Sequence, residues 1–520
     1  SAGEAGAAFV GISPLHFLWN RDADVSPYAP VSRLYRNPLY LDVEAIPELA
    51  SCEAARRRLH DPDFRSCLEK AREAELLDYE GVAALKREIL EPLHRTFVAL
   101  HQDRSTPRGR AYASYREREG DLLTDFATYL VLAERFSATA ARDWWQWPLT
   151  YRDPRSPDVH SVREQHSEEV DFHCYVQFEL DRQLRSCAHA SEQARLRVGL
   201  LQDLALGSTA GGADAWMFQG LFASDARMGA PPDEFNPAGQ DWGMPPLDPR
   251  RLRNQAYGYW SQLLRASFAH AHALRIDHAM ALTRLYWIPS GRPPNEGAYV
   301  RYPARDLLGI LALESRRHGA LVIGEDLGTV PRAFSAQLAR WGILSWRVLY
   351  FERSGRGFRP SRSYSHRALV TANTHDLAPL AGFVLGRDLE LQRQAGVIES
   401  DRALADAQSE RREWCGALAQ RLRAEAILGE GKALPPPPGL CAAVSAFLCR
   451  TPAQLVGIAL DDLAGETEPV NLPGTSHDRF PNWRRRMALP IDALRSDPRA
   501  REALRAASRR SSGGPPIRKS

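Results

Sequence analysis

Short apolar runs recur along this chain at spacings that leave room for a helix between them. They are Ala8 to Leu15, Val198 to Leu206, Leu274 to Asp277, Leu321 to Glu325, Ser345 to Phe351, Ala368 to Asn373 and Leu455 to Leu460. Strands that alternate with helical patterns build a parallel sheet. Three of these runs lead into acids at their C-terminal ends: Asp277, then Glu325 with Asp326, then Asp376. In a parallel barrel such ends converge on one face, which is where side chains for chemistry collect.

The stretch Ala273-Leu-Arg-Ile-Asp-His-Ala-Met280 says most. Leu274 and Ile276 alternate with Arg275 and Asp277, the period of a strand. Arg275 and Asp277 therefore share a strand face. A guanidinium beside a carboxylate favours its ionised form, so Asp277 is expected below its ordinary pKa. An ionised Asp suits attack on a carbon and suits proton donation poorly. Taken singly, an Asp at a strand end reads as a helix N-cap or a loop ion pair, and Glu325-Asp326 could cap the helix after Gly328. Three such acids in this order point instead to one pocket. Glycoside chemistry needs such a set: one carboxylic acid protonates the leaving oxygen, and one carboxylate attacks or activates water. A third can bind sugar hydroxyls and favour ring distortion.

These segments resemble the 4-alpha-glucanotransferases of glycoside hydrolase family 77, the amylomaltases or disproportionating enzymes. Further matching motifs are Ser26-Pro-Tyr28, Asn37-Pro38 with Asp42, Gly229-Ala-Pro-Pro-Asp233, Gly239-Gln-Asp-Trp-Gly243, Asn471-Leu-Pro-Gly-Thr475 and Pro481-Asn-Trp-Arg-Arg-Arg486. They span roughly residues 8 to 490, and the Gly-Gln-x-Trp-Gly and Asn-x-Pro-Gly-Thr elements are highly specific in combination. Gly-Ala-Pro-Pro-Asp with Trp-Gly-Met-Pro-Pro-Leu-Asp-Pro is similar to the bacterial maltodextrin-using subgroup. The resemblance implies Asp277 as nucleophile, Glu325 as general acid/base and Asp376 as the carboxylate that stabilises the transition state. It places Arg275 and His375 where they orient these acids and bind the donor sugar. Tyr28, Asp203, Gln240, Trp242, His278 and Asn373 complete the expected substrate-binding set. Glu325 must donate a proton and later accept one, which calls for a raised pKa.

The fold expected is a TIM-type (β/α)8 barrel with large, mainly helical insertions. Seven strand candidates are found where the barrel needs eight. The run Ala8 to Leu15 resembles the family's second strand, so the first strand is expected to be missing from this chain. Residues 1–43 are read as the barrel start, 44–190 as a helical insertion, 191–493 as the barrel core, and 494–520 as a basic, disordered tail. Leu77 to Leu90 shows helical spacing of apolar residues. The cluster Trp144-Trp-Gln-Trp-Pro148 is read as helix packing in preference to a sugar platform. Residues 208–249 form a Gly/Pro-rich loop with Trp216, Phe235, Gln240 and Trp242. In the family this loop folds over the cleft. A cover that excludes water lets a sugar hydroxyl capture the intermediate.

Other classes find little support. Net charge is +3, from Lys+Arg 67 against Asp+Glu 64, which gives no basic face for nucleic acid. Seven cysteines without a Cys-x-x-Cys point to free thiols in a reducing compartment. No apolar run approaches the about 18 residues of a membrane span, and no basic-then-apolar leader is visible, so a cytoplasmic location is expected. His270, His272 and His278 would be split between faces, so no metal is expected. No dinucleotide or P-loop motif occurs, and no cofactor is expected. The Arg484 to Arg486 run is read as salt-bridge structure. The reaction expected is a retaining transfer of α-1,4-glucan segments between maltodextrins or to glucose, with the Asp277 and Glu325 carboxyls about 5–5.5 Å apart. A glucan hydrolase with the same acids, or an inactive glucan-binding fragment, remain the alternatives.

Overall fold

The computed structural model describes residues 2–22, 24–103, 105–137, 141–232, 238–328, 330–331 and 333–508. All seven apolar runs become strands. They are β1 (Phe9–Gly11), β2 (Gly199–Leu204), β3 (Ala273–Ile276), β4 (Leu321–Gly324), β5 (Leu344–Val348), β6 (Ala368–Thr371) and β7 (Leu455–Val456). They form one seven-stranded sheet in chain order, and every neighbouring pair is parallel. Among the described residues no pairing joins β1 to β7, so the curled sheet is open there. A cavity of about 2710 Å³ enters at this opening, beside Phe9, Leu369 and Val456, and reaches Tyr28, Asp203, Arg275 and His375. Several strands end earlier than their apolar runs. Leu455 to Leu460 gives only two residues of strand before the chain turns into a helix at Leu460.

Strand register decides which side chains meet. Asp203 on β2 is the partner of Arg275 on β3, and Arg275 is the partner of Ile323 on β4. Ile276 pairs with Gly324, so Asp277 and Glu325 leave adjacent strands at the same level. The acids therefore arrive together because of pairing between strands far apart in sequence.

The insertion between β1 and β2 is helical. Its main members are α1 (Tyr79–His101), α2 (Asp121–Ser137) and α3 (Ser167–Gln193). Asp78 caps α1 by accepting from the Gly81 amide, which satisfies one of the unpaired donors of the first turn. Trp147 and Trp216 are fully buried beside Tyr129 on α2. The Trp144 to Trp147 cluster thus contributes to packing. Trp216, read from the sequence as part of the covering loop, is a core residue whose indole donates to the Tyr151 carbonyl at 3.1 Å. Phe235 and Asp233 lie outside the described residues.

The segment 208–249 is more ordered than a loop. Ala226–Ala230 and Gln240–Asp241 join Arg284–Pro289 and Ala298–Arg301 in a four-stranded antiparallel sheet. Gly239 and Gly243 bracket Gln240 at φ 74° and 71°, a region that disfavours other residues. The tail also departs from expectation. Pro498–Ser508 is a helix with Ala500 and Ala503 buried, packed on Pro437–Cys449; its small apolar face outweighs its basic composition. Residues 509–520 lie outside the described residues. Among those described, no helix is long and apolar enough to cross a membrane.

Emptying the aromatic core should be costly whatever happens at the acids. Trp216→Ala is expected to lower the unfolding free energy by about 3–5 kcal/mol. Denaturant titration followed by circular dichroism measures it, and a loss below about 1 kcal/mol would contradict the packing described.

Candidate active site

Arg275 is the hub of the site. Its side chain is buried and reaches three carboxylates. One terminal nitrogen, Nη1, donates to both oxygens of Asp203 at 2.8 and 2.7 Å. The other, Nη2, donates to Asp277 at 3.0 Å and to Glu325 at 3.1 Å. Asp277 and Glu325 thus share one hydrogen-bond donor, which holds their nearest oxygens no more than about 6 Å apart. Trp346 on β5 lies under the guanidinium, with its ring centre 4.6 Å away. A buried cation is tolerated when it is paired and hydrogen-bonded in this way.

The nucleophile candidate is held at both oxygens. Asp277 Oδ1 meets Arg275, and Oδ2 accepts the Leu206 amide at 3.3 Å. Arg33 fixes that amide's surroundings by donating to the carbonyls of Ala205, at 3.0 Å, and Leu206. The expectation of a lowered Asp277 pKa is overturned. Burial, helped by the facing Glu325 charge, outweighs Arg275 and pushes Asp277 up to about 6. The sequence showed the cation but not the depth of the site. Glu325 accepts the His278 amide at 2.9 Å as well as Arg275. His278 takes a left-handed backbone, φ 43°, to aim that amide, and burial lowers its imidazole pKa.

A second group stands across the cleft. The Tyr28 hydroxyl donates to Asp203 at 2.7 Å and lies 3.1 Å from His375 Nδ1. The two rings stack at 4.2 Å. His375 Nε2 is 3.3 Å from Asp376, whose other oxygen accepts Asn471 at 2.7 Å. Burial pulls His375 down, but Asp376 outweighs it and leaves the imidazole above its usual pKa. Burial would raise Asp376, yet His375 and Asn471 hold it below the ordinary range. Trp483 flanks both rings, 5.7 Å from Tyr28 and 5.5 Å from His375.

The segment 208–249 reaches the site through His278. Trp242 meets the His278 ring edge-on at 5.2 Å and donates to the Gln240 side chain at 3.0 Å. Asn373, expected on the sugar, directs its amide to Asp462. The other histidines have their own partners: His270 meets Asp181 at 2.8 Å and His272 meets Glu192 at 3.1 Å. Arg485 pairs with Asp461 and Glu466, the structural role expected of its run. Sequence reasoning missed Trp346, the Leu206 amide, Trp483 as a ring neighbour, and Asp462. Trp483 stood inside a quoted motif, but nothing local marked the others.

A family model described as 4-alpha-glucanotransferase matches residues 1–491. The chain belongs to that family. A 4-alpha-glucanotransferase of Mycobacterium bovis is 38% identical over 98% of this chain and 71% of its own length. One from Haemophilus influenzae is 32% identical over 94% of this chain and 71% of its own. Among solved structures, the amylomaltase of Corynebacterium glutamicum superposes with a TM-score of 0.84 at 31% identity, covering 97% of this chain and 70% of that one. An amylomaltase of Streptococcus agalactiae, solved with acarbose, shares the fold with a TM-score of 0.77 at 19% identity, over 99% of this chain and 94% of that one. The 4-alpha-glucanotransferases are enzymes, and the sheet with its insertions is the TIM-type scaffold of this family.

The Asp277 environment gives a sign for pH dependence. An attacking carboxylate must be ionised, and the candidate Asp277 is ionised only above about pH 6. The acid limb of kcat/KM should therefore lie near pH 6 and fall tenfold per unit below it. Arg275→Lys keeps one charge but cannot span three carboxylates. It is expected to lower kcat/KM by about 10²-fold or more. Initial rates across pH 4 to 9 test both, and a limb near pH 4 would contradict the burial argument.

Proposed function

We propose that this chain transfers α-1,4-glucan segments between maltodextrins, or to glucose, with retention at the anomeric carbon. The observation that carries the reading is the single guanidinium bridging Asp277 and Glu325 at 3.0 and 3.1 Å. A shared hydrogen-bond donor keeps the two carboxylates close, as in a retaining pair, whose carboxyls stand about 5–5.5 Å apart. Membership of the 4-alpha-glucanotransferase family supports the substrate class.

In the first step an Asp277 oxygen attacks the anomeric carbon. The bond to the leaving glucan breaks, its electrons go to the leaving oxygen, and Glu325 gives that oxygen its proton. Asp277 is then esterified to the sugar. In the second step the acceptor's 4-hydroxyl attacks the same carbon and Glu325 takes its proton. The carbon–Asp277 bond breaks and the carboxylate is restored. Asp376 faces the ring as a charge that favours a cationic transition state, while His375 and Tyr28 bind and orient the donor sugar. Trp242, which packs on His278 and holds the Gln240 side chain, helps exclude water during the life of the ester.

Maltotriose tests this directly. The wild type should give glucose and a ladder of longer maltodextrins, and Asp277→Asn should give neither. Glucose and maltose alone would establish a hydrolase. Bound glucan without turnover would establish a binding protein.

A further inference from the structure

The loop 372–379 joins β6 to the helix Leu380–Leu385 and carries His375 and Asp376. Both ends of it are fastened to one buried carboxylate outside the cleft. That carboxylate is Asp462, on the short helix Leu460–Ala464 beyond β7. Near the loop's start, Asn373 Nδ2 reaches both oxygens of Asp462 at 3.1 Å. At its end, the Leu380 amide donates to Asp462 Oδ1 at 2.7 Å. Tyr350 adds a third anchor by donating to the Ala378 carbonyl at 3.0 Å.

Asp462 faces Asn373, the Leu380 amide, Tyr350 and a like charge, Asp461, which is itself paired with Arg485 at 2.7 Å. Burial pushes its carboxyl up to about 7. A buried acid with such partners is a poor way to stabilise a core, where an apolar side chain would serve better. Its geometry fits a different role. The half-exposed Asp376 has few supports of its own: Asn471, His375, and the Thr374 hydroxyl that accepts its amide at 3.2 Å.

We infer that Asp462 is a positioning residue for the transfer reaction: by holding Asn373 and Leu380 it sets the loop that presents His375 and Asp376 to the sugar. The inference rests on the reaction proposed above.

The test compares wild type, Asp462→Asn, and the exchange Asp462→Asn with Asn373→Asp, all on maltotriose. In the single variant the amide oxygen must serve both Leu380 and Asn373, and an amide donor replaces the second oxygen that Asn373 reaches. In the exchange, the acid is at 373 and the amide at 462, so the pairing returns while Leu380 keeps an acceptor. The single variant should lose about tenfold or more in kcat with KM within about threefold, and the exchange should recover most of the loss. Thermal unfolding separates this from lost fold. The inference is overturned by kcat within about twofold of wild type, by kcat and KM failing together with a large drop in Tm, or by an exchange that recovers nothing. If Asp462→Asn does not fold, Asn373→Ala cuts the first tie alone and must show the same split. A wild type without turnover would sink the transfer reading and this inference with it. An active wild type beside an unchanged variant would sink this inference alone.

Discussion

Everything at the cleft depends on keeping one guanidinium charged in a place that water barely reaches. Arg275 solves this by meeting Asp203, Asp277 and Glu325 at once while resting on the Trp346 ring. Each partner is in turn held by something else: Asp203 by Tyr28, Asp277 by the Leu206 amide, Glu325 by the His278 amide. Truncating Arg275 would leave three buried carboxylates without their shared cation, which is far more costly than never having buried the group. The cluster is therefore cooperative. Its members are fixed by one another more than by their own backbones.

The same cluster shows why charge and burial have to be weighed together. An arginine two residues away on a strand face argues for an acidic Asp277. The depth of the site argues the other way and prevails. At Asp376 the balance reverses, because His375 and Asn471 supply direct contacts at a half-open position. Two aspartates at one cleft are thus tuned apart by their surroundings, Asp277 upward by burial and Asp376 downward by its direct partners.

The barrel was legible in the sequence to a large degree. Each of the seven strands follows from a short apolar run, and Asp277 and Glu325 each sit directly beyond one. The grouping of Tyr28, Asp203, Arg275 and His375 followed from the family resemblance, and the structure brings them within contact. Strand length was less legible, since an apolar run does not mark where a strand gives way to a turn. The antiparallel sheet around Ala226–Ala230 was hidden by its glycines and prolines, which locally resemble a loop. Trp216 was placed on the cover because sequence cannot say which tryptophan faces inward. Asn373 and Asp462 meet across 89 residues of sequence, and no local pattern encodes such a pairing.

The sheet that carries Gln240 gives the cleft its mechanical character. Ala226–Ala230 is hydrogen-bonded to Arg284–Pro289, which begins only seven residues beyond Asp277 after a single 3-10 turn at Ala279–Leu282. Trp242 also leans on His278 itself. The segment around Gln240 is therefore not a free flap. It is coupled through one sheet to the backbone just beyond Asp277. A load on the segment around Gln240 would therefore pass through Arg284–Pro289 to the short turn just beyond Asp277 and His278, so the two sides of the cleft share one backbone path.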